Sequence, residues 1–224
     1  MTFALPRNVS TIPRPFVIAC EGYSDLCLID ELLQHHKITN CCVGCPSRDF
    51  APNLPEYMAA VKGIVQTKGL TLAGVLVVVD ADISQADAFA NASTALANGA
   101  FPVPSGPFKV EGANPRTAVY VMPGEGREGT LEHLLLDATF LNKPKYERYV
   151  TKFVSRILKR HWFERPVYTA NQYAKMRMSS IVGASCKSNP WASAAGIWHE
   201  QDNPVPVDSP CFSHLTGFLR TFSQ

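Results

Sequence analysis

Four acidic side chains of this sequence have the type and the placement that catalytic chemistry needs. They are Glu21, Asp80, Asp82 and Glu132. Glu21 and Asp80 directly follow short apolar runs, and Asp82 comes two residues after Asp80. Glu132 opens a helix that comes after another apolar run. If these runs are neighbouring parallel strands, the acids meet beyond the carboxyl ends of the strands, where open α/β sheets bind ligands. Two anions about 4 Å apart repel by about 4 kcal/mol at an effective dielectric near 20. Converging acids therefore either share a proton or hold a cation.

An all-oxygen ligand set without a nearby His or Cys favours hard cations, Mg²⁺ first and Mn²⁺ or Ca²⁺ next. We therefore expect these acids to bind Mg²⁺, with Mn²⁺ as a substitute. Simpler interpretations of the individual residues stay open. Asp80 could cap the helix that follows it, and Glu21 alone would be an ordinary turn residue.

The elements that must position the acids alternate between strand and helix. The predicted strands are Phe16–Cys20, Ile38–Val43, Gly74–Val79 and Thr117–Met122, and the predicted helices of this region are Ser24–His36, Leu54–Thr67, Ser84–Asn98 and one that begins at Leu131. Ser24 is the expected cap of the first helix, and Asp25 falls in its first turn, where an anion suits the helix dipole. This alternation predicts an α/β fold with a mostly parallel sheet covered by helices on both faces.

From Pro144 to about His161 the pattern changes to a long amphipathic helix. Its apolar side chains fall on one face and are Tyr146, Tyr149, Val150, Phe153, Val154 and Ile157. Its basic stripe, on another face, consists of Lys145, Arg148, Lys152, Arg156 and Lys159. Further helices are predicted at Asn171–Ile181 and Phe212–Phe222. We expect an α/β domain over residues 1–140 and a basic helical extension, residues 141–224, packed on it.

Charge divides along the same boundary. Residues 1–140 carry 9 Lys or Arg and 14 Asp or Glu, a balance of −5, whereas residues 141–224 carry 12 and 5, a balance of +7. This division suggests an acidic site and a separate basic surface that act together. The basic surface would attract a polyanion that the acidic site alone would repel. The alternative is that the basic stripe is only a solvated face.

Three motifs of the chain together resemble the TOPRIM fold. They are Glu21-Gly22 after a first strand, Asp80-Ala81-Asp82 after a hydrophobic strand, and Gly129-Thr130-Leu131-Glu132 after a fourth. Residues 16–140 are similar to this fold, and most similar to the OLD-type nucleases and to short bacterial TOPRIM-like proteins with a helical tail. The resemblance implies that Glu21 is the catalytic acid or base, and that Asp80 and Asp82 with Glu132 hold one or two Mg²⁺.

The leading hypothesis is a Mg²⁺-dependent phosphodiester hydrolase, a nuclease that cleaves DNA or RNA. Glu21 would move a proton, Lys175 or Arg177 would steady the charge on phosphate, and the basic stripe with Arg177 would bind the nucleic acid. One alternative is a non-catalytic TOPRIM-like module that binds nucleic acid or a partner protein. Another is a metal-dependent nucleotide-sugar transferase, which leaves Glu21-Gly22 and the Gly129–Glu132 segment unexplained.

Composition bounds the remaining possibilities. The chain of 224 residues has 46% hydrophobic and 18% charged residues, and no apolar stretch is long enough to cross a bilayer. The N-terminus lacks the pattern of a secretory signal, and seven scattered cysteines do not suggest a disulfide framework. We therefore expect a cytoplasmic protein with reduced thiols and no membrane contact, which could form a homodimer. Cys42 and Cys45 are expected to be packed thiols rather than zinc ligands, and His35-His36 to close a helix.

Overall fold

The computed structural model describes residues 3–4, 12–47, 51–159 and 168–224, in which helices cover a sheet. The strands are β1 (Phe3–Ala4), β2 (Phe16–Cys20), β3 (Cys41–Gly44), β4 (Gly74–Asp80), β5 (Val110–Glu111) and β6 (Arg116–Met122). The α-helices are α1 (Tyr23–His35), α2 (Leu54–Thr67), α3 (Gln85–Asn98), α4 (Leu131–Asn142), α5 (Pro144–Lys159), α6 (Ala170–Ser185) and α7 (Ser213–Phe222). Two 3₁₀ turns lie at Ile197–His199 and Pro210–Phe212.

The sheet has the strand order β1-β3-β2-β4-β6-β5. All adjacent strands are parallel except β5, which pairs antiparallel with β6 at the edge. The central strand β4 is buried from Gly74 to Val79, as expected for five successive apolar residues in a parallel sheet with helices on both sides. The predicted α/β fold with a mostly parallel, helix-covered sheet is confirmed.

Alternate residues of each strand enter different cores, because side chains of a strand point to opposite faces. Ile18 and Leu76 pack in the core formed with α1, α4, α6 and α7, whereas Val17 and Val77 pack in the core formed with α2 and α3. Helices α6 and α7 thus share a core with the sheet, and the C-terminal part of the chain packs on the α/β part.

Two local predictions need correction. Gly22, not Ser24, precedes the first turn of α1. The sequence pattern of the proline-rich segment before Thr117 also predicts at most a short edge strand at Phe108–Val110. The edge strand instead covers Val110–Glu111, because Phe108 has a positive φ of 61° that a strand cannot use. β1 was not predicted, and His161 lies outside the described residues. No helix in the described ranges is both long and apolar enough to cross a membrane.

Helix α5 leaves part of its apolar face exposed. Val154 is buried, and Tyr146 and Val150 are half-buried and pack against the core. Tyr149 and Phe153, however, are 61% and 54% exposed, and Ile157 is also exposed. Only part of the apolar face of α5 is therefore buried in the core. Because α5 packs against α4 and α6 rather than against the sheet, a narrow strip of its surface is enough to make the contact.

Candidate active site

The sheet brings Glu21 and Asp80 together at the carboxyl ends of adjacent strands. Strands β2 and β4 pair in parallel, and the Glu21 N–H continues the ladder by donating to the Val78 carbonyl at 3.0 Å. The backbone N–H of Asp80 then donates to Glu21 Oε2 at 3.3 Å. The expected contact between the first and third predicted strands is therefore present, and it places both acids at one edge of the sheet.

Asp80 also lies at the N-terminus of α4. Its Oδ1 accepts the N–H of Leu131 at 2.8 Å, so one carboxylate oxygen satisfies a backbone group at the start of the helix. The next residue, Glu132, accepts a hydrogen bond from the Thr130 hydroxyl at 2.8 Å on Oε2. Strand β4 and helix α4 thus bring Asp80 and Glu132 to the same edge of the sheet.

Asp82 occupies a different position. It has a left-handed φ of 49°, and its backbone N–H and carbonyl pair with those of Gly129 at 2.8 Å each. Gly129 has a φ of +124°, and a Cβ there would lie 2.8 Å from His133 Nδ1, so this pairing needs glycine. The Asp82 carboxylate accepts the Asn171 amide at 2.8 Å, which ties the start of α6 to the site.

Asp25 is the site residue that sequence analysis missed. Its side chain is only 6% exposed, and its Oδ2 accepts the N–H of Gly22 at 2.9 Å. Burial raises the pKa of Asp25 to about 7, with Glu21 and Glu132 adding to the rise, while the Gly22 N–H and Lys175 lower it. Because Gly22 has no side chain to cap α1, the acid three residues later reaches back to it. The spacing of four between Glu21 and Asp25 was the available signal, since it places both carboxylates near the first turn of one helix.

Asp80 is perturbed in the same direction. Its pKa is raised to about 8, chiefly by burial and also by Asp25, Glu132 and Glu21, whereas the Leu131 N–H opposes the rise. We call Glu21, Asp25, Asp80 and Glu132 the acidic cluster. No ion pair between described residues includes a carboxylate of this cluster. At neutral pH the cluster therefore keeps a proton or needs an external cation.

The donor chemistry of the cluster suits Mg²⁺, but its side chains are not arranged as a finished cage. Among the described residues, no group of three or more His, Cys, Asp or Glu is placed to hold a metal ion together. Mg²⁺ does not require such a cage, because it usually keeps several waters and binds one or two carboxylates plus phosphate oxygens. Asp80 and Glu21 each have one oxygen outside the hydrogen bonds described above.

A cleft of about 600 Å³ opens beside these acids on the α2 and α3 side of the sheet. Glu21, Asp80 and Asp82 line it, together with Asn53 and Ser84, which cap α2 and α3. A cleft of this volume accommodates a nucleotide-sized group. Lys175 is exposed on α6, and it acts on Asp25 electrostatically.

The predicted nucleic-acid contacts fall into two groups. Four members of the basic stripe are exposed on α5: Lys145, Arg148, Lys152 and Arg156. The Lys159 side chain is outside the described part. Arg177 does not belong to the exposed surface, because its guanidinium donates to Thr151 Oγ1 at 3.0 Å and lies 4.8 Å from the centre of the Phe140 ring. Arg177 therefore fastens α6 to α5 and α4, and its predicted role as a nucleic-acid or phosphate contact is not supported by its position.

Other candidates have structural partners. Cys42 is a buried thiol whose Sγ lies 3.4 Å from the Phe16 carbonyl oxygen, as expected for a packed thiol. His36 lies 3.3 Å from Arg220, and burial lowers its pKa, with His35 and Arg220 contributing. His133 Nδ1 accepts the Thr130 N–H at 3.1 Å, so it caps α4 as a neutral side chain.

Comparison with known proteins identifies one family. A family model described as protein of unknown function (DUF3226) matches residues 15–223. The match includes all seven helices of the described parts and every strand of the sheet except β1. No curated protein and no solved structure matches the chain.

Proposed function

The chain belongs to the DUF3226 family, whose description states no function, and we propose that it is a Mg²⁺-dependent phosphodiester hydrolase that acts on nucleic acid. The observation that carries the proposal is the acidic cluster. Buried Asp25 and half-buried Asp80 repel each other and two further carboxylates, and no ion pair between described residues gives them a basic partner. Such strongly raised carboxyl pKa values beside a cleft are typical of functional sites.

The metal ligands that we propose are Asp80, Asp82 and Glu132, and Glu21 and Asp25 lie beside them. A bound Mg²⁺ supplies Lewis-acid polarisation of a phosphate oxygen and lowers the pKa of a water molecule. The TOPRIM resemblance of the strand-end motifs supports the same ligand set and, among nucleases, favours the OLD type. In that assignment Mn²⁺ substitutes for Mg²⁺.

Three side chains would have separate roles in the reaction. Glu21 is exposed at the cleft, and its Oε1 is the oxygen left to accept a proton from the attacking water. Lys175 carries a point charge on a flexible stem of α6 that can approach phosphate near Asp25. Asn171 holds the Asp82 carboxylate against rotation. Transfer of a proton to Glu21 and neutralisation of phosphate charge by Lys175 together support attack of water on phosphorus. The P–O ester bond then breaks, and the departing sugar oxygen takes up a proton from water.

One observation favours a second candidate, a TOPRIM-like module that binds nucleic acid or a partner protein without cleaving it. Asp80 already serves as the N-terminal acceptor of α4, and no three-ligand group is formed among the described residues. The cluster would then be a structural feature of the sheet edge. Both candidates suit a reducing compartment such as the cytoplasm, since Cys20, Cys41, Cys42 and Cys186 are buried thiols.

The test is cleavage of labelled DNA and RNA, single-stranded and duplex, with Mg²⁺, Mn²⁺, Ca²⁺ or EDTA. Asp80→Asn is the informative variant, and Asp87→Asn is its matched control, because Asp87 is an exposed carboxylate on the wall of the same cleft. We expect cleavage with Mg²⁺ or Mn²⁺ that Asp80→Asn abolishes and Asp87→Asn preserves. Metal-dependent stabilisation without cleavage of any substrate would favour the binding module, and the absence of both would refute the metal site.

A further inference from the structure

Helix α5 carries an apolar stripe that the core does not use. Tyr149, Phe153 and Ile157 follow one another at four-residue intervals, so they form one line along the helix. All three are exposed, with 61%, 54% and 45% of their surface accessible. Two of the three are aromatic, and exposed aromatic rings in a line are unusual on a surface that contacts only water.

The basic stripe runs beside this apolar stripe. Lys152 and Arg156 precede Phe153 and Ile157 by one residue, and the Arg148 guanidinium lies 6.0 Å from the centre of the Tyr149 ring. Residues 144–159 contain five basic residues and a single acid, Glu147, which lies 4.0 Å from Arg177. The exposed surface of α5 therefore combines strong positive charge with aromatic faces.

Helix α6 connects this surface to Asp82, which lines the cleft beside the acidic cluster. Its first turn contacts Asp82 through Asn171, and its later turns hold α5 through the bond from Arg177 to Thr151. Arg177 follows Asn171 by six positions, which corresponds to about 9 Å along the helix axis. A chain of a few nucleotides can therefore span from α5 to the strand ends.

We propose that the α5 surface binds single-stranded nucleic acid, with phosphates on the basic stripe and bases stacked on Tyr149 and Phe153. The inference rests on the proposed function, for which it names the substrate class. Single strands expose the faces of their bases to aromatic side chains, whereas a duplex buries those faces in its own stack. A second copy of this chain is disfavoured as the occupant, because two α5 surfaces of the same strong positive charge would repel across a symmetric contact.

The test measures binding in EDTA, so that it does not depend on cleavage. Anisotropy of a labelled oligonucleotide of about 20 nucleotides, single-stranded or annealed to its complement, gives the two affinities over a range of NaCl concentrations. The aromatic variant is Tyr149→Ser with Phe153→Ser. Its control is Leu141→Ser, because Leu141 is 58% exposed at the end of α4, outside the α5 surface. The charge variant is Lys152→Ala with Arg156→Ala.

We expect the wild-type protein to bind the single strand more tightly than the duplex. The aromatic variant should lose at least about 5-fold in single-strand affinity for each base that no longer stacks, with less than about 2-fold change for the duplex. Leu141→Ser should bind like wild type. The charge variant should lose affinity for both forms and show a flatter salt dependence, by about 0.7 log units per log unit of salt for each lost single-strand phosphate contact.

Equal binding of both forms, or an aromatic variant that binds the single strand like wild type, would overturn the inference. Light scattering tests whether a second copy of this chain occupies the stripe instead. A wild-type dimer that becomes a monomer in the aromatic variant would show that it does, and would overturn the inference. Failure of this inference and failure of the proposed function are distinguishable. If the protein binds single strands but does not cleave them, the proposed function of the acidic cluster fails. If it cleaves nucleic acid but does not prefer single strands, only the inference about α5 fails.

Discussion

Replacement of Asp25 by Asn should stabilise the metal-free protein, although it removes a carboxylate that accepts a hydrogen bond. Asp25 is buried near Glu21 and Glu132, and its pKa rises from an ordinary value of 3.8 to about 7 on folding. A group with a raised folded-state pKa favours the folded protein only while it is protonated. The free energy of unfolding should therefore fall as the pH rises from about 4 towards 7, and stay low above it.

The magnitude follows from the shift. Each pKa unit corresponds to about 1.4 kcal/mol, so a shift of about three units costs up to about 4 kcal/mol at pH 8. Asp25 and Asp80 repel each other and titrate together, so a single replacement should recover about 2 kcal/mol. For a chain of 224 residues this corresponds to a rise in Tm of about 4–8 °C. The hydrogen bond at the start of α1 survives the replacement, because the amide oxygen of an asparagine side chain can still accept the Gly22 N–H.

Thermal unfolding in EDTA at pH 4, 6 and 8 measures this effect. Asp87→Asn is the matched control, because Asp87 occupies the same position of α3 that Asp25 occupies in α1, three residues after the N-cap, but is exposed. The control should lose about 0.3–1 kcal/mol from the helix dipole at pH 6 and 8, where the replaced carboxylate is ionised. With saturating Mg²⁺ the difference in Tm between Asp25→Asn and the wild type should shrink. Mg²⁺ that binds the intact acidic cluster stabilises the folded wild type by mass action. An Asp25→Asn variant that is destabilised at pH 8 as much as the control would refute the electrostatic argument.

Three further predictions concern the site and its support. Mg²⁺ should raise the Tm of the wild-type protein and not that of Asp80→Asn, as measured by differential scanning fluorimetry; an equal rise in both would remove Asp80 from the ligand set. Glu21→Gln should keep most of that stabilisation while cleavage falls about 10²- to 10⁴-fold, and loss of metal binding instead would make Glu21 an essential ligand. Arg177→Ala should lower the free energy of unfolding by about 2 kcal/mol in urea titrations, since it removes the bond to Thr151 and the stacking on Phe140, and the salt dependence of nucleic-acid binding should not change.

Local sequence pattern was sufficient for the elements and for most of the acidic cluster. The run Gly74–Val79 is apolar at every position after its glycine, a composition typical of a strand buried on both faces. Because residues that follow parallel strands share one edge of the sheet, Glu21 and Asp80 could be placed together without coordinates. The pattern at Leu131 also located the start of α4, and with it Glu132.

Tertiary structure decided which side chains those elements leave buried or exposed. Asp25 has the pattern of an ordinary first-turn acid, and it joins the cluster only because the start of α1 is buried near the ends of β2 and β4. Tyr149 and Phe153 have the spacing of a core face, but α5 rests on two helices rather than on the sheet and leaves them exposed. Arg177 is a basic residue of the type expected to contact phosphate at the surface, but its guanidinium contacts Thr151 of α5 and the Phe140 ring of α4 instead. Periodicity specifies which residues share a face of an element, whereas the partner of that face depends on contacts between segments distant in sequence.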